Sequence, residues 1–183
     1  MTPRIISFAA GDKGRWKIES IVQVAGPTLP PAARLEVVER RDTLGDPIQA
    51  WTLRGGLSNA RYTTRGEVQA LSSRQEGLDR PGARRAALIP ISKSEVWWSL
   101  AQDERRAILE EQSRHIAIGL EYLPTIARRL HHGRDLGEPF DFLTWFEYAP
   151  AHSADFETLV ARLRSTPEWR YVEREVDIRL SRG

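Results

Sequence analysis

The chain has 183 residues, 40% of them hydrophobic and 28% charged, enough for one domain with a real core or two small halves packed together. Lys plus Arg outnumber Asp plus Glu only 27 to 25, and runs such as DERRAILEEQSRH interleave the signs, so the clustered positive charge of a nucleic-acid surface is missing. With no cysteine, disulfides, iron–sulfur clusters, thiolate-ligated or covalently attached haem and cysteine-ligated zinc are excluded.

The opening run MTPRIISFAAGDKGRWK breaks at Gly11 and Asp12, too soon for a signal h-region, and no segment approaches a membrane span. A cytoplasmic protein without membrane or nucleic-acid partners is expected. Four strands are expected first: Ile5 to Ala9, Trp16 to Val24, Leu35 to Val38 and Ile48 to Leu53. Each is rich in β-branched or aromatic residues, and turn clusters such as GDKG and GPTLPP separate them. The stretch TTRGEVQAL then reads as a helix capped by Thr64, and SSRQEGLDRPGARR reads as a polar linker.

The second half opens with a short apolar strand, Ala86 to Ser92, leading into KSEVWW. Ser99 and Gln102 give a capping signal ahead of the helix DERRAILEEQSR. A helix is expected to restart at Pro124 and to run through TIARRLHH to near Gly133. Phe140, Phe142, Thr144, Phe146 and Tyr148 alternate as one face of a strand. Ser153 or Asp155 should cap FETLVARLR, which stops before Pro167, and a last strand should run from Trp169 to Leu180. This order predicts an α+β fold of ferredoxin-like units. LGDPIQAWTL and LGEPFDFLTWF each turn into a strand about half a chain apart. That echo suggests a single 1–183 domain of two related halves, 1–75 and 86–183.

Four histidines are candidates for chemistry: His115, His131, His132 and His152. None forms an HExxH frame, and His131 and His132 on one helix would point about 100° apart, so no zinc site is expected. By spacing alone His115 reads as an ordinary core or surface histidine, and Arg128 and Arg129 as a solvated helix face. Lys93, Trp97 and Trp98 offer large apolar area with polar handles, and a core aromatic pair is the plain reading of the two tryptophans.

Taken in order, ISKSEVWWSL, SRHIAIGLEYLPTIARRLHHGRDLGEPFDFLTWFEYAP and EWRYVEREVDIRL resemble the haem-binding half of the chlorite dismutase family, with a weaker likeness at NARYTTRGEV. The length is similar to that of the family's short, dimeric branch. The resemblance implies a dimeric α+β barrel with one haem b per subunit, converting chlorite to chloride and dioxygen. His115 matches the axial iron ligand, and Glu168 the acid paired with its other ring nitrogen. Arg128 matches the arginine on the open haem face, where it would hold the substrate anion. Lys93, Trp97 and Trp98 match the cluster supporting the haem on the histidine side, and Tyr62 matches a propionate partner. Leu123, Thr144 and Phe146 would line the substrate pocket. Three alternatives stand beside this reading: a coproheme decarboxylase, from which Arg128 and the short chain depart; a haem carrier or sensor; and a haem-free barrel with a structural His115.

Overall fold

The structure is a computed structural model that describes residues 4–39, 49–57 and 62–183. Its described strands are β1 (Ile5–Gly11), β2 (Trp16–Ala25), β3 (Arg34–Glu39), β4 (Gln49–Leu57), β5 (Arg85–Lys93), β6 (Ala127–His132), β7 (Phe142–Tyr148) and β8 (Val172–Ser181). They close into one antiparallel barrel in the order β4-β1-β3-β2-β8-β5-β7-β6, with β6 returning to β4. Within that ring β1–β4 and β5–β8 repeat the same ferredoxin-like order, fourth, first, third, second. The fold is α+β, as expected from the sequence.

Inward positions of the strands fill the barrel. Phe8, Trp16, Leu35, Leu53, Leu88, Leu143, Trp145, Val176 and Ile178 belong to this core, in which Phe8 and Trp16 both lie against Trp145. A second core lies outside the sheet of the C-terminal half. There the helices α4 (His115–Glu121) and α5 (Ser153–Arg164) cover Ala87, Ile89, Ile91, Phe142, Phe146 and Tyr148 with Ile118, Phe156, Leu159, Val160 and Leu163. Strands β5 and β7 are thus buried on both faces, which is why AALIPI and FLTWF read as nearly continuous apolar runs.

Between β4 and β5 the helix α1 (Arg65–Arg74) begins at Thr64, whose hydroxyl accepts from Glu67 N while the Glu67 carboxylate accepts from Thr64 N. The expected cap is therefore present, and the helix runs on into what reads as linker. After β5 come α2 (Glu95–Ser99), capped by Ser94, and α3 (Gln102–Arg106), which continues into a π-helical turn over Ala107–Gln112.

Five expectations need correction. TIARRLHH is not a helix. Pro124 sits in the turn after α4, preceded by a cis peptide bond, and Ala127–His132 is strand β6, paired with β7 over six residues and with β4 at Gly56 and Leu57. The barrel needs this strand to close, and that tertiary demand overrides the helix-forming residues. Ser99 caps nothing: its hydroxyl donates to Val96 O, and α3 starts at Ala101, whose N–H donates to Glu104. Neither Ser153 nor Asp155 is the cap of α5, which follows His152. Phe140 precedes β7 and joins the barrel core, apart from the face of Phe142, Thr144 and Phe146. The last strand starts at Val172, because Pro167–Tyr171 forms a 3-10 turn. The LGDP turn at 44–47, the residue Ile48 and the first three residues of NARY lie outside the described residues.

Candidate cofactor cavity and anion site

A cavity of about 430 Å³ opens between the outer face of the sheet and the helices, in the range of roughly 300–1,000 Å³ that takes a cofactor-sized ligand. Its walls are mostly apolar, with Ile89 and Ile91 from β5, Phe142 and Phe146 from β7, Val160 and Leu163 from α5, and Val68 and Leu71 from α1.

His115 reaches this cavity because the chain before it is constrained on three sides. The π-helical turn and Arg114, in the left-handed region at φ 53°, end one helix and start α4 at His115. The carboxylate of Glu110 accepts from Ile116 N and Ala117 N, at 2.7 and 3.2 Å, so it closes the new N-terminus with negative charge where the helix dipole favours it. Ser113 Oγ accepts from Glu168 N at 2.9 Å, which ties this turn to the 3-10 turn carrying Glu168.

Glu168 is 3% exposed and touches two partners: His115 Nδ1 at 2.6 Å and Lys93 Nζ at 2.7 Å. Burial alone would raise its pKa, but His115 and Lys93 outweigh burial and hold it down to about 2, so it is ionised. Burial pushes the Lys93 ammonium below its ordinary value, opposed by Glu168 and Asp141. A carboxylate accepting at Nδ1 fixes the His115 tautomer and leaves Nε2 without a hydrogen-bond partner among the described residues. The imidazole keeps 26% of its surface open, and it lines the cavity. Trp169 stacks over it, with ring centroids 6.5 Å apart and planes at 19°.

Arg128 projects from β6 into the same cavity and forms no hydrogen bond or ion pair among the described residues. Protein surrounds its guanidinium on most sides, yet the residue is only half-buried because it faces the void. Burial lowers its pKa, opposed by the more distant Glu110, and an arginine remains cationic regardless. The guanidinium lies on Gly119 of α4: a Cβ added there would stand 2.1 Å from its terminal nitrogen. Gly119 is four residues beyond His115 and therefore on the same helix face. Arg129, its neighbour in sequence, is exposed and also borders the cavity, at its rim.

The other expected residues divide. Tyr62, Trp97, Thr144 and Phe146 line the cavity with His115, Glu168 and Arg128. Lys93 and Trp98 stand one layer behind: Lys93 lies over the Trp97 ring at 4.2 Å, and Trp98 stacks on Phe142 at 5.9 Å. Leu123 is buried at the turn after α4 and does not line the cavity. Tyr62 holds a left-handed backbone at φ 61°, costly for a bulky residue. Arg106 donates to its carbonyl and to Glu67, while Arg105 donates to its hydroxyl and to the carbonyls of Trp97 and Trp98. Sequence reasoning missed this arginine pair, and also Glu110, Ser113, Gly119 and Asp141. Asp141 accepts from Lys93 N and Trp98 Nε1, at 2.7 and 3.2 Å. Such contacts are made to backbone or across long separations, and no periodicity announces them.

A matching model for the family described as chlorite dismutase covers residues 33–182. The chain belongs to the chlorite dismutase family. Its structure is similar to that of the dimeric chlorite dismutase from Nitrobacter winogradskyi, with 56% identity, a TM-score of 0.91, and 97% of this chain and 99% of the other covered. Chlorite dismutase from Candidatus Nitrospira defluvii, in a complex with imidazole, shares the fold at 22% identity and a TM-score of 0.68, covering 97% and 91%. Among curated proteins, chlorite dismutase from Ideonella dechloratans is 33% identical over 88 residues, 48% of this chain and only 29% of that longer relative. Among the described residues no helix is long and apolar enough to cross a membrane.

The cavity residues of this family member fit a haem. No group of three or more His, Asp or Glu side chains that could hold a bare metal ion occurs among the described residues. A metal carried in a ring of its own nitrogens would need just one protein ligand, and His115 offers Nε2 in the cavity for that purpose. Gly119, one turn on, leaves room on α4 for the Arg128 guanidinium, which a side chain there would displace. The Trp97 indole N–H is buried without a partner among the described residues, beside Tyr62 and near Lys93, a donor set suited to carboxylates at the rim of a macrocycle.

Proposed function

We propose that this chain binds one haem b per subunit and converts chlorite to chloride and dioxygen, working as a homodimer. One observation carries the reading: a carboxylate-backed histidine and an unpaired guanidinium share one apolar cavity. The dimeric assembly rests on the 56% identical Nitrobacter protein, which is described as dimeric.

Haem b, when bound, supplies the iron chemistry that breaks the Cl–O bonds of chlorite and forms the O–O bond, with ClO2⁻ giving Cl⁻ and O2. His115 would hold the iron through Nε2. Glu168 keeps the imidazole in the required tautomer and, being ionised, raises its basicity. Lys93 compensates the buried carboxylate, which would otherwise be a costly lone charge. Tyr62, Trp97 and Trp98 would support the haem and its propionates. Arg128 holds the substrate anion and retains the chlorine oxyanion until reaction is complete, presenting several donors and a permanent charge. The apolar walls, Thr144 and Phe146 among them, exclude water and strengthen that attraction.

The test is a pair of substitutions in haem-loaded protein. Arg128→Ala should keep its Soret band and lose about 10²–10³-fold in chlorite turnover, the scale of removing one donor aimed at reacting charge. Full turnover in Arg128→Ala would remove the arginine from the mechanism. A loaded wild-type protein without chlorite turnover would favour coproheme decarboxylation or haem sensing.

A further inference from the structure

Glu175 lies on the outer side of β8 and is 1% exposed, at the border between the cavity and α5. Its two oxygens have different partners. Oε1 accepts from Arg164 Nε of α5 at 2.8 Å, and Oε2 accepts from the indole Nε1 of Trp169 at 2.8 Å. Attachment of α5 to β8 does not need the second contact, because Arg164 also reaches Asp177 and Arg179 joins Asp177 to Glu157. The bond to Trp169 therefore has a different consequence. That indole covers the His115 imidazole at 19°, with Lys93 Nζ 5.8 Å from its ring centre. No other side-chain hydrogen bond sets the rotation of the indole among the described residues.

We propose that Glu175, backed by Arg164, is a positioning residue that acts through Trp169. Glu168 fixes the His115 ring at its edge, and Glu175 fixes it on its face by locking the indole parallel to it. A carboxylate acceptor at the indole N–H also makes the ring's face richer in electrons, which favours the neighbouring ammonium of Lys93. The consequence for an iron bound at His115 rests on the haem reading above, whereas the ring geometry does not.

The experiment uses ¹⁵N-labelled chain, with and without haem, in Glu175→Ala, Glu175→Gln, Trp169→Phe and the Glu175→Ala/Trp169→Phe double variant. In the haem-free chain, Glu175→Ala should raise hydrogen exchange of the Trp169 indole N–H about tenfold or more, the loss of one charge-assisted bond. It should also erase the nuclear Overhauser contacts between the Trp169 and His115 rings. Glu175→Gln keeps an acceptor oxygen and should retain the ring contacts, which keeps the test decisive if the alanine variant fails to fold. In haem-loaded protein the iron–histidine stretching band should shift in Glu175→Ala, with no further shift when that change is added to Trp169→Phe. Unchanged ring contacts and indole exchange in Glu175→Ala, with only a lowered unfolding midpoint, would overturn the proposal and leave Glu175 as a strut for α5. Failure to take up haem would count against the haem reading alone, since the ring contacts are read without it.

Discussion

His115 and Arg128 differ in what their surroundings allow. The histidine is restrained at Nδ1 by a carboxylate ionised down to about pH 2 and is open at Nε2, whereas the guanidinium has no counter-ion at hydrogen-bonding distance, both among the described residues. A buried cation left unpaired is expensive, and a bound anion removes that cost. Replacing His115 by Ala should abolish the Soret band of reconstituted protein while leaving its circular dichroism unchanged; retained haem would show that another residue ligates it. His131 makes a contrasting prediction. It is buried inside the barrel, donates through Nδ1 to Leu143 O, and is held down to about 4 because burial disfavours its charged form. The unfolded chain, with a value near 6.5, binds the proton first, so stability falls as pH drops from 6.5 through 4. That window is worth about 3 kcal/mol. Urea unfolding at pH 7 and pH 4 should show a loss of this size that is largely absent in His131→Gln. At this scale the sequence made His115, Glu168 and Arg128 legible only through family resemblance, since a lone His and an Arg pair are chemically ambiguous.

The elements around the cavity explain where sequence reading succeeded and where it failed. Thr64 with Glu67 carries a local signal, and α1 starts where that signal puts it. Strand β6 carries a misleading one. Arg128 and His132 are four apart, and that spacing places them on one face of a helix and equally on one face of a strand. Only pairing with β7 and β4 decides between them, and those partners are distant in sequence. On α4, Gly119 weakens the helix in exchange for room for the Arg128 guanidinium. Gly119→Leu should gain up to about 1 kcal/mol of helix propensity, offset by crowding against the Arg128 guanidinium 2.1 Å from the new Cβ, so the unloaded protein should still fold. It should also displace the Arg128 guanidinium and block haem uptake. Thermal unfolding and a haem titration check both parts, and normal uptake by Gly119→Leu would show that the cradle is not where the ring lies.

At the scale of the whole molecule, the barrel interior is a packed structural core and the candidate cavity lies outside it, under α4 and α5 of the C-terminal half with α1 of the N-terminal half at its edge. Closure of eight strands into a barrel was expected only through the family resemblance, because it depends on a two-residue seam between β4 and β6 that no local signal announces. Light scattering after size exclusion should give twice the chain mass of 20.8 kDa if the homodimer proposed for this chain forms; a single chain mass at micromolar concentration would contradict it. The most direct test of the central claim is oxygen evolution from chlorite, measured with a Clark electrode on protein reconstituted with haem b. The account predicts rapid release of one O2 per chlorite consumed, with the Soret band preserved through many turnovers. A well-formed Soret band with no oxygen would contradict it.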